Sequence, residues 1–348
     1  SVWRAPVLQY SVVLFSFPYL LLGALAGLRY MRSAWVLPAA FATAAVSVFT
    51  LITERKHYEI FYESRYEAIT RGIVEASTMS DRIALFDGPD RVVDFYLKHW
   101  NLDPAQVPYF SLQGRSSAWV DSLLASSTAS SVFYGSTPSA MPENTARIQA
   151  AFPFLQKRQD MEEGQTFLFS GSPTGPSMED RKWGSLTTPD AIAGDGWEVN
   201  TDVPVWQDST GQGHTPRLWD LTGKEFGILL DKPIYQIAQG DNDVIEARMN
   251  VMDVEGNGLK LVVELKEGDE TTFYRSHPLQ SSHGNGSIIS AVPLADLPGH
   301  GQGQRLRVYV WNEGGRTAHV ASMEVRVREG NPWLYGFFQP LKGVRKYW

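Results

Sequence analysis

The 348-residue chain contains no cysteine and carries 31 Lys and Arg against 38 Asp and Glu, a net charge of −7. The missing thiols exclude disulfides, thiolate metal sites and a cysteine nucleophile. The acidic balance argues against a nucleic-acid partner, which needs a basic face.

In chain order, the first 56 residues stand apart. Val7–Leu28 and Ala34–Thr53 contain no Asp, Glu, Lys or Arg. Each is close to the roughly 20 apolar residues with which a helix crosses hydrocarbon, where it satisfies its own backbone hydrogen bonds. Only Arg29–Ser33 separates them, so the pattern predicts a transmembrane hairpin over residues 1–56, with a lipid bilayer as partner. The first run is too long and too weakly basic in front for a signal peptide. A chain opening at Ser1 directly on a span reads as the tail of something larger. Arg29 and Arg32 favour a cytoplasmic loop, hence an inner-membrane protein with its large module in the periplasm; Arg55 and Lys56 pull the other way. Gly23, Ala24, Ala26 and Gly27 would suit close packing against other membrane subunits.

Residues 57–170 alternate strand and helix patterns. Residues 57–78 have apolar positions at helical spacing. Arg82–Phe86 reads as a buried strand, Asp90–Trp100 as a helix, Val107–Leu112 as a strand, Ser116–Leu124 as a helix, Ser131–Tyr134 as a strand and Pro142–Phe152 as a helix. That alternation predicts a small parallel α/β sheet. Asp87-Gly88-Pro89-Asp90 closes the first strand where such sheets bind ligands. It lacks the glycine-rich fingerprint, and its two acids would repel phosphate. Asp90 as a helix N-cap or first-turn residue is preferred.

Residues 171–224 lack periodicity and read as a Trp-containing connection. From 225 to 335 the pattern turns to period two. Asp243–Val251, Leu259–Leu265, Thr271–Arg275, Ile288–Val292, Leu306–Trp311 and Ala321–Val327 predict an antiparallel, jelly-roll-like β-sandwich. Residues 336–348 form a C-terminal tail. The expected fold is thus a membrane α-hairpin, a small parallel α/β domain and an all-β sandwich.

No catalytic apparatus and no cofactor motif is visible. Asp253 to Glu264 nearly matches a twelve-residue calcium loop, but strands flank it, and Asn257-Gly258 between apolar alternations reads as a hairpin turn. Asp241 and Asp243 are metal candidates in a second oxygen-rich cluster, with a plain polar turn preferred. The seven histidines show no ligand spacing. Nine tryptophans lie beyond the hairpin, and sugar rings stack their CH faces on aromatics. Trp219, Trp311 and Asn312 are therefore glycan-binding candidates, although a strand Trp such as Trp311 more often belongs to a core.

Several short segments occur in a familiar order: Glu225-Phe226-Gly227, Asn242-Asp243-Val244-Ile245, Val308-Tyr309-Val310-Trp311-Asn312, Glu329-Gly330-Asn331-Pro332 with Tyr335-Gly336, and Thr53 to Tyr58. The chain resembles the C-terminal extracytoplasmic region of family 39-like (dolichyl-phosphate-mannose protein mannosyltransferase-like) C-type membrane glycosyltransferases of Bacteroidetes type. The resemblance implies a polyprenyl-phosphate sugar donor and a glycan or protein acceptor. It carries over no catalytic residue, because the family's acid lies on an early loop that has no counterpart here. The alternative is a two-span, membrane-anchored carbohydrate- or protein-binding module, or an accessory subunit of a membrane complex.

Overall fold

In the computed structural model the chain divides into two compact units, Ser1–Tyr62 and Glu63–Trp348. Described are residues 65–331, except 162–163, 174–176, 193, 195, 207–216, 239, 241, 256–257, 280–282, 299–300 and 302, and seven helical positions between 38 and 49. The expected transmembrane hairpin is corrected: among the described residues no helix is long and apolar enough to cross a membrane. The first apolar run lies outside the described residues. Apolarity specifies removal from water, and a run of this kind does not by itself say what removes it. The tail 336–348 also lies outside.

The second unit begins with helix α1 (Arg65–Ser77), followed by β1 (Arg82–Asp87), α2 (Asp90–His99), β2 (Phe110–Ser111), α3 (Ser117–Ser126), β3 (Ser131–Ser136), α4 (Pro142–Ala151), β4 (Phe154–Met161) and β5 (Gly164–Ser170). Ser116 caps α3 by accepting the Trp119 N–H at 3.3 Å, and Pro142 opens α4 at a position with no N–H to satisfy. Neighbours in β1 serve opposite layers. Phe86 packs with Ile69, Ile73, Val93 and Leu97 of α1 and α2. Leu85 packs with Val120, Leu124 and Ile148 of α3 and α4. A strand covered on both faces reads as one apolar run.

The sheet order is β2-β1-β3-β5-β4. β1 pairs parallel with β2 and β3, but β5 pairs antiparallel with β3 and β4. The expected all-parallel sheet is therefore corrected to a mixed one. A two-residue link joins β4 to β5, and only antiparallel strands can be joined so tightly.

The remaining strands build a sandwich. β6 (Arg181–Thr187), β7 (Trp197–Val199), β8 (Val205–Trp206) and β9 (Leu218–Asp220) come from the stretch read as a connection. β10 (Phe226–Pro233), β11 (Asp243–Glu255), β12 (Leu259–Glu267), β13 (Glu270–Pro278), β14 (His283–Pro293), β15 (Gln304–Asn312) and β16 (His319–Glu329) follow. One sheet runs β13-β12-β15-β10-β7 and the other β14-β11-β16-β9-β8, with β6 also on β16. Leu261, Val263, Val308 and Val310 of the first meet Ile245, Ala247, Met249 and Val325 of the second in one core. Burial of this kind stabilises by roughly 25 cal/mol per Å² of apolar surface.

The expected Asn257-Gly258 hairpin is corrected. β11 pairs with β14 and β16, β12 with β13 and β15, so the connection crosses between sheets. Both strands face one core, and alternation around Asn-Gly looks the same for a crossing as for a hairpin. Gly258 is needed for a close approach: a Cβ there would lie 2.6 Å from the Glu313 carbonyl oxygen, which follows the Glu313 N–H donating to the Gly258 carbonyl at 2.9 Å.

The small domain covers the outer face of the β14-β11-β16 sheet. Arg158 donates to the carbonyls of Glu329 (2.8 Å) and Gly330 (2.7 Å). Asn331 donates back to the carbonyls of Met161 (2.9 Å) and Gly164 (3.0 Å). On the same face Glu246 is buried and accepts from Arg326 and Arg328, each at 2.5 Å. Burial raises its carboxyl pKa, but the two guanidinium groups outweigh that and hold it below the ordinary value.

Candidate functional site

The outer face of the other sheet carries a different set of side chains. Register places three rows across it. Tyr274, Glu264, Arg307 and Asp231 form one row; Val262, Tyr309, Leu229 and Glu198 the next; Lys260, Trp311 and Phe226 the third. Between them runs a groove of about 260 Å³ lined by Glu198, Asn200, Phe226, Leu229, Glu264, Arg307 and Tyr309.

Phe226 owes its place to a bulge. Regular alternation would send Phe226 inward with the core residues Ile228 and Leu230. Instead the register jumps between Phe226↔Trp311 and Leu229↔Tyr309, so one extra residue turns Phe226 onto the outer face. Bulges commonly re-aim a side chain in this way. Gly227 permits it, since a Cβ there would come 2.5 Å from Leu221. Phe226 is 50% exposed. Its ring lies nearly parallel to Trp311 (11°, centroids 6.5 Å apart) and tilted against Tyr309 at 6.0 Å. Lys260 Nζ sits 4.3 Å from the Trp311 ring centre and pairs with Glu313 at 2.8 Å.

The polar floor is preset. Glu264 is buried and accepts from Thr271 Oγ1 at 2.5 Å. Asp231 accepts from Arg305 Nε at 2.6 Å and lies 3.4 Å from Arg307 Nε. Burial, then the nearby Glu264 and Tyr274, push the Tyr309 hydroxyl up to about 12, so it stays a proton donor at neutral pH. The groove therefore offers flat aromatic surface beside fixed donors and acceptors, an arrangement suited to binding.

Of the residues singled out in the sequence, Trp311 is half-buried on this open face. Trp219 is 1% exposed and belongs to the sandwich core, with no ring face available to a glycan. Asn312 is buried and donates to the carbonyls of Leu221 (3.0 Å) and Arg316 (2.7 Å), pinning the β15 end. Asp243 is buried, pairs with Lys182 and accepts the Gly240 N–H at 2.9 Å; Asp241 lies outside the described residues. Among the described residues no three His, Asp or Glu side chains gather as a metal would require. Asp90 is the first residue of α2, and Asp87 is buried, accepting from Asn144 Nδ2 at 2.7 Å.

Sequence reading missed Phe226, Tyr309, Arg307, Glu264 and Glu198. One signal was present: in Leu306–Trp311 the aliphatic residues occupy one parity, leaving Arg307, Tyr309 and Trp311 together on the other.

No family model matches the chain, and no curated protein matches it. Solved structures similar to it include the CBM22-1 xylan-binding domain of Paenibacillus barcinonensis Xyn10C, 18% identical over 42% of this chain and 94% of that one, with a TM-score of 0.29. Another is the CBM35 of Cellvibrio japonicus Abf62, 14% identical over 43% and 99%, TM-score 0.27. A third is the C-terminal family 22 carbohydrate binding module of Clostridium thermocellum Xyn10B, 11% identical over 45% and 97%, TM-score 0.29. Likeness at this level assigns the chain to no family.

Proposed function

We propose that the chain is a carbohydrate-binding protein, with the groove on the outer face of the β13-β12-β15-β10-β7 sheet as its glycan site. The observation that carries this reading is the bulge that turns Phe226 out beside Trp311 and Tyr309. Core physics alone would bury Phe226, and an exposed aromatic cluster rimmed by polar groups marks a binding surface. Sugar rings pair CH faces with hydroxyl edges, and the groove pairs aromatic faces with Glu264, Arg307 and Asn200. The inner-membrane, periplasm-facing placement expected from the sequence is part of the same proposal. The glycosyltransferase resemblance is a separate proposal in which the same groove would receive an acceptor glycan.

Titration of the full chain with a panel of oligosaccharides tests the reading. Phe226→Ala is expected to weaken the bound glycan at least tenfold, about 1.4 kcal/mol, with the thermal midpoint nearly unmoved. A chain that binds no glycan, or binds one equally well without Phe226 and Trp311, would sink it.

A further inference from the structure

Glu264 on β12 and Arg307 on β15 stand directly opposite one another, at the separation where cross-strand pairs ordinarily meet. They do not bond. Glu264 is held by Thr271 on one side, and Arg307 faces Asp231 on the other, 3.4 Å away. Arg307 Nε is buried and makes no hydrogen bond, but 31% of the side chain is exposed on the groove it lines, so the rest of the guanidinium is what a ligand can reach. An acceptor and a donor are thus fixed apart on the floor of the groove, flanked by Tyr309.

Resting on the glycan reading, we propose that Glu264 and Arg307 clamp two adjacent hydroxyls of a neutral sugar, and that the groove rejects uronates and sugar phosphates. Each hydroxyl both donates and accepts, so a vicinal diol can give a proton to Glu264 while accepting from Arg307. A uronate or sugar phosphate keeps ring hydroxyls for both contacts, so what sets it apart is its added charge. It brings another negative charge to a groove whose lining includes Glu198 and Glu264 beside Arg307, while Asp231 lies between Arg305 and Arg307. In a partly desolvated cleft, like charges at such range repel strongly.

The test titrates the full chain with neutral hexose and pentose oligosaccharides and with galacturonan oligosaccharides of equal length. Neutral sugars are expected to bind at least about tenfold more tightly, since each uronate carboxylate is repelled by Glu198 and Glu264 in the groove lining. Glu264→Gln, which retains shape and the Thr271 bond, should weaken neutral sugars and narrow the gap to the uronates. The thermal midpoint reports whether the variant folds. Uronates binding as tightly as neutral sugars would overturn the charge selection while leaving glycan binding intact. Neutral binding unchanged by both Glu264→Gln and Arg307→Gln would overturn the clamp. Absence of binding to every oligosaccharide would overturn the glycan reading itself.

Discussion

The sandwich has two outer faces, and they invert the usual division of surface and interior. On the β14-β11-β16 sheet the outward residues are charged, among them Glu246, Arg248, Glu324, Arg326 and Arg328, and this face is covered by the small α/β domain. On the β13-β12-β15-β10-β7 sheet they include Tyr274, Tyr309, Trp311 and Phe226, and Phe226 and Tyr274 are 50% and 48% exposed. The charged face tolerates burial because its charges are paired across strands, with Glu246 between two arginines. Uncompensated buried charge is far more unfavourable than paired charge. On the aromatic face Phe226 and Tyr274 stay about half exposed, an unfavourable exposure that the proposed ligand would relieve. The lesson is that residue type alone does not say which face of a sandwich works; what covers the face does.

The sharpest way to break this comparison is to unpair the covered face. Glu246→Ala strands Arg326 and Arg328 in the interface, and a loss of about 3–5 kcal/mol is expected in urea unfolding. A loss below about 1 kcal/mol, the surface-pair range, would mean that water reaches the interface freely. A smaller effect is expected from Arg158→Ala, which removes two bonds to the carbonyls of Glu329 and Gly330. One of these bonds is exposed and the other only partly buried, so each is taken at the ordinary net worth of about 1 kcal/mol, and the same unfolding experiment should give a loss of about 2 kcal/mol. The glycan binding proposed for the groove should be intact in the folded fraction, because the groove lies on the other sheet.

The smallest effect concerns pH. His277 of β13 and Glu143 of α4 face each other at the edge of the interface, 3.6 Å apart, with Arg275 3.9 Å from Glu143. Burial lowers the His277 pKa; Glu143 opposes that, while Arg275 and Arg147 add to it. A folded value below the unfolded one, roughly 6.5, means the unfolded chain binds the proton more readily. Stability from this group is present above roughly pH 6.5 and is lost as the pH falls through the folded value. The thermal midpoint should therefore decline from neutral to mildly acid pH, and His277→Gln should flatten part of the decline. Parallel curves for the two proteins would show that His277 takes no part.

Much of the strand and helix content was legible. Alternation in 259–265, 306–311 and 321–327 specifies strands because period two puts one parity in a core whatever sheet the strand joins. Helical spacing in 90–99 and the proline at 142 did the same for α2 and α4. The stretch 171–224 was not legible as sandwich, because β7, β8 and β9 are two or three residues long, too short for a period to show. The long apolar runs before residue 54 were legible as apolar and nothing more. Within the site, residue type could not tell Trp311 from Trp219, and a core place was the preferred reading of Trp311; its parity, opposite to Val308 and Val310, is the signal that separates the two.

The sequence by itself determined which residues alternate, where glycine and proline interrupt them, and that no cysteine chemistry is available. Only the tertiary structure decided which sheet each strand joins, as at Gly258, where the chain crosses between sheets instead of turning back. It also decided which outer face stays open, and that Phe226 joins that face. A single extra residue in β10 reverses the parity of everything before it. A one-dimensional pattern cannot register that shift, because it exists only relative to the neighbouring strand.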